Sequence, residues 1–424
     1  MSQCQNVVPP PLEFQVAGRS NYLRIDLDTL THNVNVLLSK CSPHTELMAV
    51  IKANAYGHGA VGVARHLVNQ GVRHFAVATA YEGRELRQAG IQGFIQVFGN
   101  CVGEEMDIMR QFQLTPTVTT EAFLTHWAAW PSYTLAEQQS RNSNIPQVVI
   151  KVDSGMSRNG CQPEELPTLM DLCSELGVPV HSLMTHFAQA WDDPHFTLKQ
   201  LDTFLSAVQP YRKQGVKLHA ANSCGIIRGF GTNLDLVRPG ICLYGLPPDP
   251  SEETVKTVEE FGLRPALSWI ARPNMVKHLK PGRHVGYDQT YRLEKEETIA
   301  TFALGYADGY SRQLSGKGIL TTAEGHEQPV VGRVSMDAIT VSVDRDTLLS
   351  TPFYVYKDDF SSPNSMASIA RALNTIPYEV GTSLAARLPR LYVTGTTIFT
   401  ADGRVASGLK SKALDCGSTT VAQG

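Results

Sequence analysis

The sequence lacks the features of a membrane or secreted protein. No apolar run approaches the roughly 18 residues that a membrane-spanning helix needs. The first 20 residues have no basic flank followed by an apolar core, so they do not resemble a secretion signal. The eight cysteines lie far apart, form no CxxC pair and are sparse for a disulfide scaffold in a chain of 424 residues. We therefore expect reduced thiols and a cytoplasmic protein.

The chain also lacks a marked excess of either charge. Lysine and arginine total 37, aspartate and glutamate total 40, and the formal net charge is -3. This balance provides no attraction toward nucleic acid or an anionic membrane, and it favours a small molecule as the partner. With 42% hydrophobic residues, the chain can bury the cores of two or three domains.

From residue 22 to residue 264, short apolar runs alternate with longer amphipathic ones. The first run, YLRIDLD, is typical of a strand, and in AVGVARHLVNQG the apolar residues from Ala60 to Val68 fall on one face of a helix. Repeated strand–helix units predict a parallel sheet, and roughly eight of them over about 240 residues favour a closed (β/α)8 TIM barrel. A doubly wound open sheet is the alternative, since periodicity alone does not reveal closure. Residues 1–21 are interpreted as an N-terminal extension.

The pattern changes near residue 265. Strand-like segments separated by turn signals such as Pro281-Gly282 continue to about residue 400, with one clear helical stretch, SMASIARALN. The fold class is therefore predicted to be an α/β barrel over residues 22–264 followed by a mainly-β domain over residues 265–400. Residues 401–424 are interpreted as a C-terminal tail.

Lys52 is the last residue of the apolar run LMAVIK and so lies at the C-terminal end of a predicted barrel strand. In TIM barrels the reactive groups lie at these ends. An isolated lysine at such a position is more often a surface residue. The following residues, ANAYGHGA, form a tight turn with accessible backbone amides. Taken together, this segment resembles the pyridoxal 5'-phosphate lysine motif of alanine racemases.

Seven further segments resemble the same family and occur in its order. They are KVDSGMSRNG, MTHFA, AANS, DLVRPGICLYGL, VGYDQTY, LGYADGY and GRVSMD, and the resemblance covers about residues 22–395. It implies an isomerase that interconverts L-alanine and D-alanine with pyridoxal 5'-phosphate. It also implies a homodimer in which the barrel carries the cofactor and the C-terminal β domain reaches the partner subunit's active site.

The resemblance implies a complete cofactor site. Lys52 would carry the cofactor covalently, because a desolvated amine near other cations loses its proton readily enough to attack a carbonyl. The residues expected to hold the phosphate supply donors that need no charge: the side chains of Tyr56, Asn222 and Ser223, and the backbone amides of Gly240 and Ile241.

Arg238 would hydrogen-bond the pyridine nitrogen of the cofactor, and His186 would bond this arginine. An arginine does not readily release a proton, so the ring nitrogen should stay unprotonated. An unprotonated ring is a weaker electron sink, which disfavours transamination as a side reaction.

Racemisation needs two acid/base groups, one on each face of the α-carbon. Lys52, once released by the substrate, would be one of them, and the resemblance makes the partner subunit's Tyr287 the other. A phenol ordinarily titrates near pH 10, so positive charge from Arg238 acting through His186 is expected to ease its ionisation.

The substrate carboxylate has its own expected contacts. Arg158 would hold it, since a planar guanidinium offers several donors. Lys151 matches a family lysine that is often carbamylated and orients this arginine. From the partner chain, the backbone amide of Met336 would be the second carboxylate contact, and Tyr306 and Asp337 would line the entrance.

Ala386 departs from the family pattern, which usually has a tyrosine immediately before the arginine of AARLPR to wall the substrate pocket. The missing ring is expected to enlarge the pocket, and an apolar wall excludes an added hydroxyl only weakly. The segment SGMSRNG also resembles broad-specificity amino-acid racemases. A serine or broad-specificity racemase is therefore the alternative within the enzyme class.

Three other functions are disfavoured by the sequence. Decarboxylases of the same architecture resemble neither RPG nor VGYDQTY. A zinc-dependent D-serine dehydratase would need a His/Cys pair in the β domain, where the candidates are His278, His284, His326 and, in the tail, Cys416, so no metal site is expected. A non-catalytic cofactor-binding protein would need no facing base, and the long C-terminal part with Tyr287 argues against it.

Overall fold

A computed structural model describes residues 12–130 and 146–406 of the chain. The start of the expected extension up to residue 11 and the expected tail beyond residue 406, with Cys416, lie outside these described residues. The strands are β1 Asn21–Asp26, β2 Glu46–Val50, β3 His74–Val77, β4 Phe94–Val97, β5 Thr115–Val118, β6 Val148–Lys151, β7 Val180–Met184, β8 Lys217–Asn222, β9 Leu236–Arg238, β10 Leu267–Ala271, β11 Met275–Leu279, β12 His284–Val285, β13 Tyr291–Arg292, β14 Glu297–Phe302, β15 Ile319–Thr321, β16 Glu327–Pro329, β17 Ile339–Val343, β18 Phe353–Tyr356, β19 Arg390–Thr394 and β20 Thr397–Phe399.

Helices follow most of the barrel strands, and two more lie in the C-terminal part. They are α1 Leu12–Ala17, α2 Leu27–Leu38, α3 Lys52–Tyr56, α4 Ala60–Asn69, α5 Ala80–Gln88, α6 Glu104–Gln111, α7 Glu121–Ala129, α8 Leu166–Glu175, α9 Pro194–Val208, α10 Ser223–Arg228, α11 Glu252–Glu260, α12 Met366–Leu373 and α13 Pro377–Thr382. Within residues 12–130 and 146–406, none of these helices has the length and apolarity to cross a lipid bilayer.

The eight strands β2 to β9 close into a parallel barrel. Closure is made by β2 and β9, where Glu46 pairs with Leu236. Strands such as β3 and β6 are buried along their whole length, because side chains on one face fill the barrel and those on the other meet the helices. The predicted barrel is confirmed, and the open-sheet alternative is rejected.

The barrel helices bury the faces that their sequences predict. In α4 the buried residues are Ala60, Val63, Ala64 and Leu67, which recur with the helical period. The helix α5 begins with a capping box in which the Thr79 hydroxyl accepts from the Glu82 amide and the Glu82 side chain accepts from the Thr79 amide. These local signals fix where the loops at the C-terminal face of the barrel start and end.

The first strand does not belong to the barrel, and its inclusion in the barrel segment 22–264 was wrong. The strand β1 pairs antiparallel with β10 and parallel with β19, in a sheet ordered β16-β15-β18-β10-β1-β19-β20. Its buried Leu23 and Ile25 show why the sequence misleads: apolar residues predict that a strand is buried, not which sheet buries it. The position of the boundary at residues 264 and 265 stays a prediction.

The C-terminal part is mainly β, as predicted. A second sheet has the order β11-β14-β17, and β12 pairs with β13. The predicted helical stretch SMASIARALN is α12, but a second helix, α13, follows it. The sequence signal for α13 is Pro377 in the first helical turn, a common position for proline at the start of a helix.

Candidate active site

A cavity of about 270 Å³ opens at the C-terminal ends of the barrel strands. Its wall includes every residue predicted to hold the cofactor, together with Arg158 and Lys151. The predicted cofactor residues in the wall are Lys52, Tyr56, His186, Asn222, Ser223, Arg238, Gly240 and Ile241. Barrel closure therefore gathers residues that lie far apart in the sequence, and their individual roles stay predictions.

Lys52 begins α3, which is a short left-handed turn directly after β2. The residues from Ala53 to Tyr56 have φ between 50° and 54°. A non-glycine residue in this conformation costs about 1–2 kcal/mol. The Glu82 carboxylate accepts a hydrogen bond from the Ala53 amide at 2.6 Å and so helps to hold the turn. The strained turn places Lys52 and Tyr56 in the wall of the same cavity.

The environment of Lys52 favours its neutral form. Burial, and then the nearby Arg158 guanidinium, lower the pKa of Lys52, whereas Glu82 raises it by a smaller amount. A lowered pKa increases the neutral fraction of the amine, and the neutral amine is the form that attacks a carbonyl carbon.

The cavity wall is strongly cationic. Lys52, Lys151, Arg158 and Arg238 all line it, and none of the lining residues within the described parts of the chain is an aspartate or glutamate. Cations gathered in a cleft without balancing carboxylates favour a ligand that brings several negative charges.

One end of the cavity is built for close approach of a ligand to the backbone. The Ser223 hydroxyl accepts from the Gly240 amide at 2.9 Å and from the Cys242 amide at 3.3 Å. A Cβ at Gly240 would lie only 2.4 Å from the Tyr56 hydroxyl oxygen, so a larger residue would fill the space between them. This end therefore combines hydroxyl groups with a backbone left bare by glycine.

Arg238 lines the cavity and is buried. A buried guanidinium needs hydrogen-bond acceptors, and here they are uncharged. They are the carbonyl oxygens of Thr185 and Ala220 at 2.7 and 3.0 Å, His219 Nδ1 at 2.9 Å and His186 Nδ1 at 3.3 Å.

The two imidazoles beside Arg238 are neutral acceptors. Burial, and then Arg238 itself, lower the pKa of His186 and of His219 well below the usual range. Since His219 accepts through Nδ1, its proton lies on Nε2, which donates to the Ser182 hydroxyl at 2.9 Å. The Ser182 hydroxyl in turn lies 3.1 Å from Nδ1 of His181. A row of hydrogen bonds through the barrel interior thus fixes how His219 faces Arg238.

Sequence reasoning missed His219 and Tyr378. His219 lies in the middle of the apolar run KLHAAN, and a histidine inside a buried barrel strand needs a polar partner, so this signal was present. Tyr378 lines the cavity from α13, and no local signal connects that helix with the barrel.

Lys151 lines the same cavity as Arg158 and is buried, with an exposed fraction of 4%. Burial, followed by Arg158 and Arg238, lowers the pKa of Lys151 to about 8. Its Nζ donates to the Oδ1 of Asn159, the residue next to Arg158. This bond connects the lysine to the segment that carries Arg158, and its role in orienting Arg158 stays a prediction.

The four predicted residues of the C-terminal part lie outside the cavity wall of their own chain. Tyr287, Met336 and Tyr306 are exposed by 70%, 53% and 43%. Tyr306 and Met336 are neighbours, since the Ala307 amide donates to the Met336 carbonyl at 3.0 Å. Asp337 accepts from Arg387 at 2.6 Å. Their contribution to a partner's site stays a prediction.

Ala386 is also exposed and is not part of the cavity wall. The aromatic side chain that the C-terminal part brings to the wall is Tyr378 instead. The enlarged pocket expected from Ala386 therefore stays a prediction, because this wall does not include the position.

Comparison with known proteins identifies the family. Residues 25–248 match the model of the alanine racemase N-terminal domain, and residues 266–392 match that of the alanine racemase C-terminal domain. The alanine racemase of Halothermothrix orenii is 34% identical over 381 residues, which cover 88% of this chain and 97% of that relative.

Solved structures agree with this comparison. Alanine racemase from Bacillus anthracis with bound L-Ala-P has a TM-score of 0.78 and 31% identity, covering 90% of this chain and 96% of that one. Alanine racemase from Bartonella henselae with covalently bound pyridoxal phosphate has a TM-score of 0.73 and 28% identity, covering 88% of this chain and 99% of that one. The chain belongs to the alanine racemase family.

Proposed function

We propose that this chain interconverts L-alanine and D-alanine with pyridoxal 5'-phosphate, using Lys52 and the partner subunit's Tyr287 as the two acid/base groups. The observation that carries the proposal is the cavity around Lys52, which combines a lysine of lowered pKa with three further cations and, among its described lining residues, no carboxylate. A singly charged ligand would leave most of this positive charge unbalanced, whereas a phosphate and an amino-acid carboxylate would balance it.

The residues present fit the proposed cofactor. The bare backbone at Gly240, with the Tyr56 and Ser223 hydroxyls beside it, suits a phosphate that accepts several hydrogen bonds. When bound, pyridoxal phosphate supplies an electron-withdrawing system that acidifies the α-hydrogen of an amino acid attached to it. Lys52 is the residue that would hold it covalently.

Arg238 would serve as the donor at the ring-nitrogen end of the cofactor. Burial among neutral imidazoles and carbonyl oxygens lowers the pKa of Arg238, but a guanidinium is basic enough to keep its proton near neutral pH and so offers only N–H groups. Arg158 would bind the substrate carboxylate, with Lys151 behind it.

Racemisation requires an acid/base group on the second face of the substrate, and we assign this role to a residue from outside the cavity wall. Tyr287 is exposed at 70% in its own chain and is available to a neighbouring copy. We propose a homodimer in which the partner subunit's Tyr287 exchanges the proton opposite Lys52. The surface with Met336, Tyr306 and Asp337 would then complete the entrance, and the cytoplasmic location stays a prediction.

Two rival functions remain. A serine or broad-specificity racemase would use the same residues and is favoured by Ala386 in place of the family tyrosine. A racemisation screen over the common L-amino acids with added cofactor separates it from an alanine enzyme. A non-catalytic cofactor-binding protein would bind the cofactor but would not exchange the α-proton of either alanine enantiomer into heavy water.

A mixing experiment tests the shared site. Lys52→Ala should abolish covalent cofactor binding, and Tyr287→Phe should keep it while slowing α-proton exchange preferentially for one enantiomer. Each variant alone should be nearly inactive. After random subunit exchange, half of the dimers carry one chain of each kind, and one of the two sites in such a dimer has both wild-type residues. In an equimolar mixture a quarter of all sites therefore have both residues, and the racemisation rate should recover to about a quarter of the wild-type rate.

Matched surface substitutions provide the controls. Lys256→Ala removes an exposed lysine and Tyr81→Phe an exposed tyrosine hydroxyl, and neither should change the rate. Mixtures that stay inactive although hybrid dimers form would contradict the shared two-residue site. Covalent cofactor binding by the Lys52→Ala chain would contradict the assignment of the lysine.

A further inference from the structure

The C-terminal part of the chain contacts the Lys52 turn through α13. A Cβ at Gly57 would lie 2.0 Å from the Gly381 carbonyl oxygen, and a Cβ at Gly381 would lie 2.7 Å from the Tyr56 carbonyl oxygen. In addition, Arg390 Nε donates to the Gly57 carbonyl oxygen at 2.9 Å. Two glycines thus allow the backbone of α13 to lie directly against the turn that carries Lys52 and Tyr56.

This contact brings Tyr378 into the cavity wall. Within the described parts of the chain, Tyr378 is the one lining residue that comes from beyond residue 265. Its ring centroid lies 5.9 Å from that of Tyr56, with an interplanar angle of 53°. Tyr56 in turn places its hydroxyl beside Gly240, so Tyr378 flanks the end of the cavity where the backbone is bare.

The groups around Tyr378 also belong to that end. Cys224, Cys242, Tyr56 and, with the smallest effect, Asp249 are close enough to affect its titration, and the two cysteines directly follow Ser223 and Ile241 in the sequence. Burial, and then these neighbours, raise the pKa of Tyr378. The phenol therefore stays protonated near neutral pH and is available as a donor.

We propose that the Tyr378 hydroxyl donates a hydrogen bond to the phosphate of pyridoxal phosphate, so that the C-terminal part of the same chain completes the phosphate site. The proposal rests on the function proposed above and deepens it. It assigns to α13 an aromatic hydroxyl in a chain whose residue 386, a tyrosine in the family pattern, is alanine. Tyr378 acts here as a cofactor-binding residue and exchanges no proton with the substrate.

The test compares two ligands that differ only in the phosphate. Tyr378→Phe keeps the ring and its packing against Tyr56 while removing the hydroxyl. Dissociation constants of the resolved apoenzyme are measured for pyridoxal phosphate and for pyridoxal. A hydrogen bond to a charged acceptor corresponds to roughly tenfold or more in affinity. We expect Tyr378→Phe to lower the affinity for pyridoxal phosphate about tenfold or more and to leave the affinity for pyridoxal unchanged.

Inorganic phosphate gives a second readout that does not depend on catalysis. Inorganic phosphate should displace pyridoxal phosphate from the wild-type apoenzyme more effectively than it displaces pyridoxal, because only pyridoxal phosphate occupies the phosphate site. The affinity of inorganic phosphate should be lower for Tyr378→Phe than for the wild type. The control is Tyr310→Phe, which removes a buried hydroxyl that has no hydrogen-bond partner among the described residues. This control should change neither dissociation constant.

The outcomes separate this proposal from the proposed function. An equal loss of affinity for both ligands would show that the hydroxyl supports the structure of the cavity wall and does not bind the phosphate. This result would overturn the inference. Unchanged binding of both ligands would overturn it as well, while the racemase proposal would stand. Failure of the wild-type protein to bind pyridoxal phosphate would overturn the proposed function and this inference with it.

Discussion

The contact between α13 and the Lys52 turn can be tested by adding a single methyl group. Gly57 has a φ of +87°, and a Cβ there would lie 2.0 Å from the Gly381 carbonyl oxygen and 2.9 Å from its carbon. Both atoms belong to the backbone, so no side-chain rotation relieves the clash. Gly57→Ala must therefore move α13 away from the turn by about 1 Å, because close-packed interiors leave no such space.

A second glycine isolates the clash from the conformational penalty. Gly90 has a φ of +84°, and a Cβ there would meet nothing within 4 Å. Gly90→Ala should cost about 1 kcal/mol, the penalty for a side chain in the left-handed region. Gly57→Ala carries the same penalty and adds an overpacking cost of about 1–3 kcal/mol, so its free energy of unfolding should fall by about 2–4 kcal/mol.

Urea unfolding of the two variants and of the wild type measures this difference. Gly57→Ala should also lower the affinity for pyridoxal phosphate, since the displaced helix carries Tyr378 and the displaced turn carries Lys52. Gly90→Ala should leave cofactor affinity unchanged. Equal destabilisation by the two substitutions would refute the close approach of α13 to the turn, and with it the structural basis for placing Tyr378 at the phosphate.

Two further predictions concern the groups behind the cavity. Ser182→Ala should destabilise the fold by about 1–3 kcal/mol, because it leaves the His219 Nε2–H without its acceptor; nitrogen NMR should still show the proton on Nε2, since Arg238 donates to Nδ1, and a proton on Nδ1 would contradict the assigned network. The control Ser268→Ala, at a buried hydroxyl without a partner among the described residues, should cost much less. Since the pKa of Lys151 is lowered to about 8, its amine is mostly protonated below that pH and mostly neutral above it. At a fixed concentration of dissolved carbon dioxide, a carbon-13 carbamate signal that Lys151→Arg abolishes should therefore be present near pH 8 and grow as the pH rises; absence of the signal until the pH nears 10.5, the ordinary pKa of lysine, would contradict the buried environment.

The sequence by itself determined much of the barrel and most of the candidate site. Alternating strand and helix periods predicted the βα units, and the motif around Lys52 with the ordered later segments predicted the family. Local sequence patterns suffice for these predictions, because a tight turn after a buried strand and a helical period of apolar residues depend only on neighbouring residues. Lys52 was placed at the C-terminal end of a barrel strand by this local reasoning, whereas the other cavity residues were expected from the family resemblance. They meet because the C-terminal ends of parallel strands share one face.

Only the tertiary structure decided which sheet each strand joins and which distant groups meet. The strand β1 looks like any buried strand in the sequence, yet it lies between β10 and β19, because pairing depends on partners more than 240 residues away, as in the contact of Asn21 with Ala271. Tyr378 reaches the cavity because Gly57 and Gly381 let two backbones touch across parts of the chain that no local pattern connects. Local periodicity encodes which faces are apolar, whereas the identity of the opposing surface is fixed only when the whole chain packs.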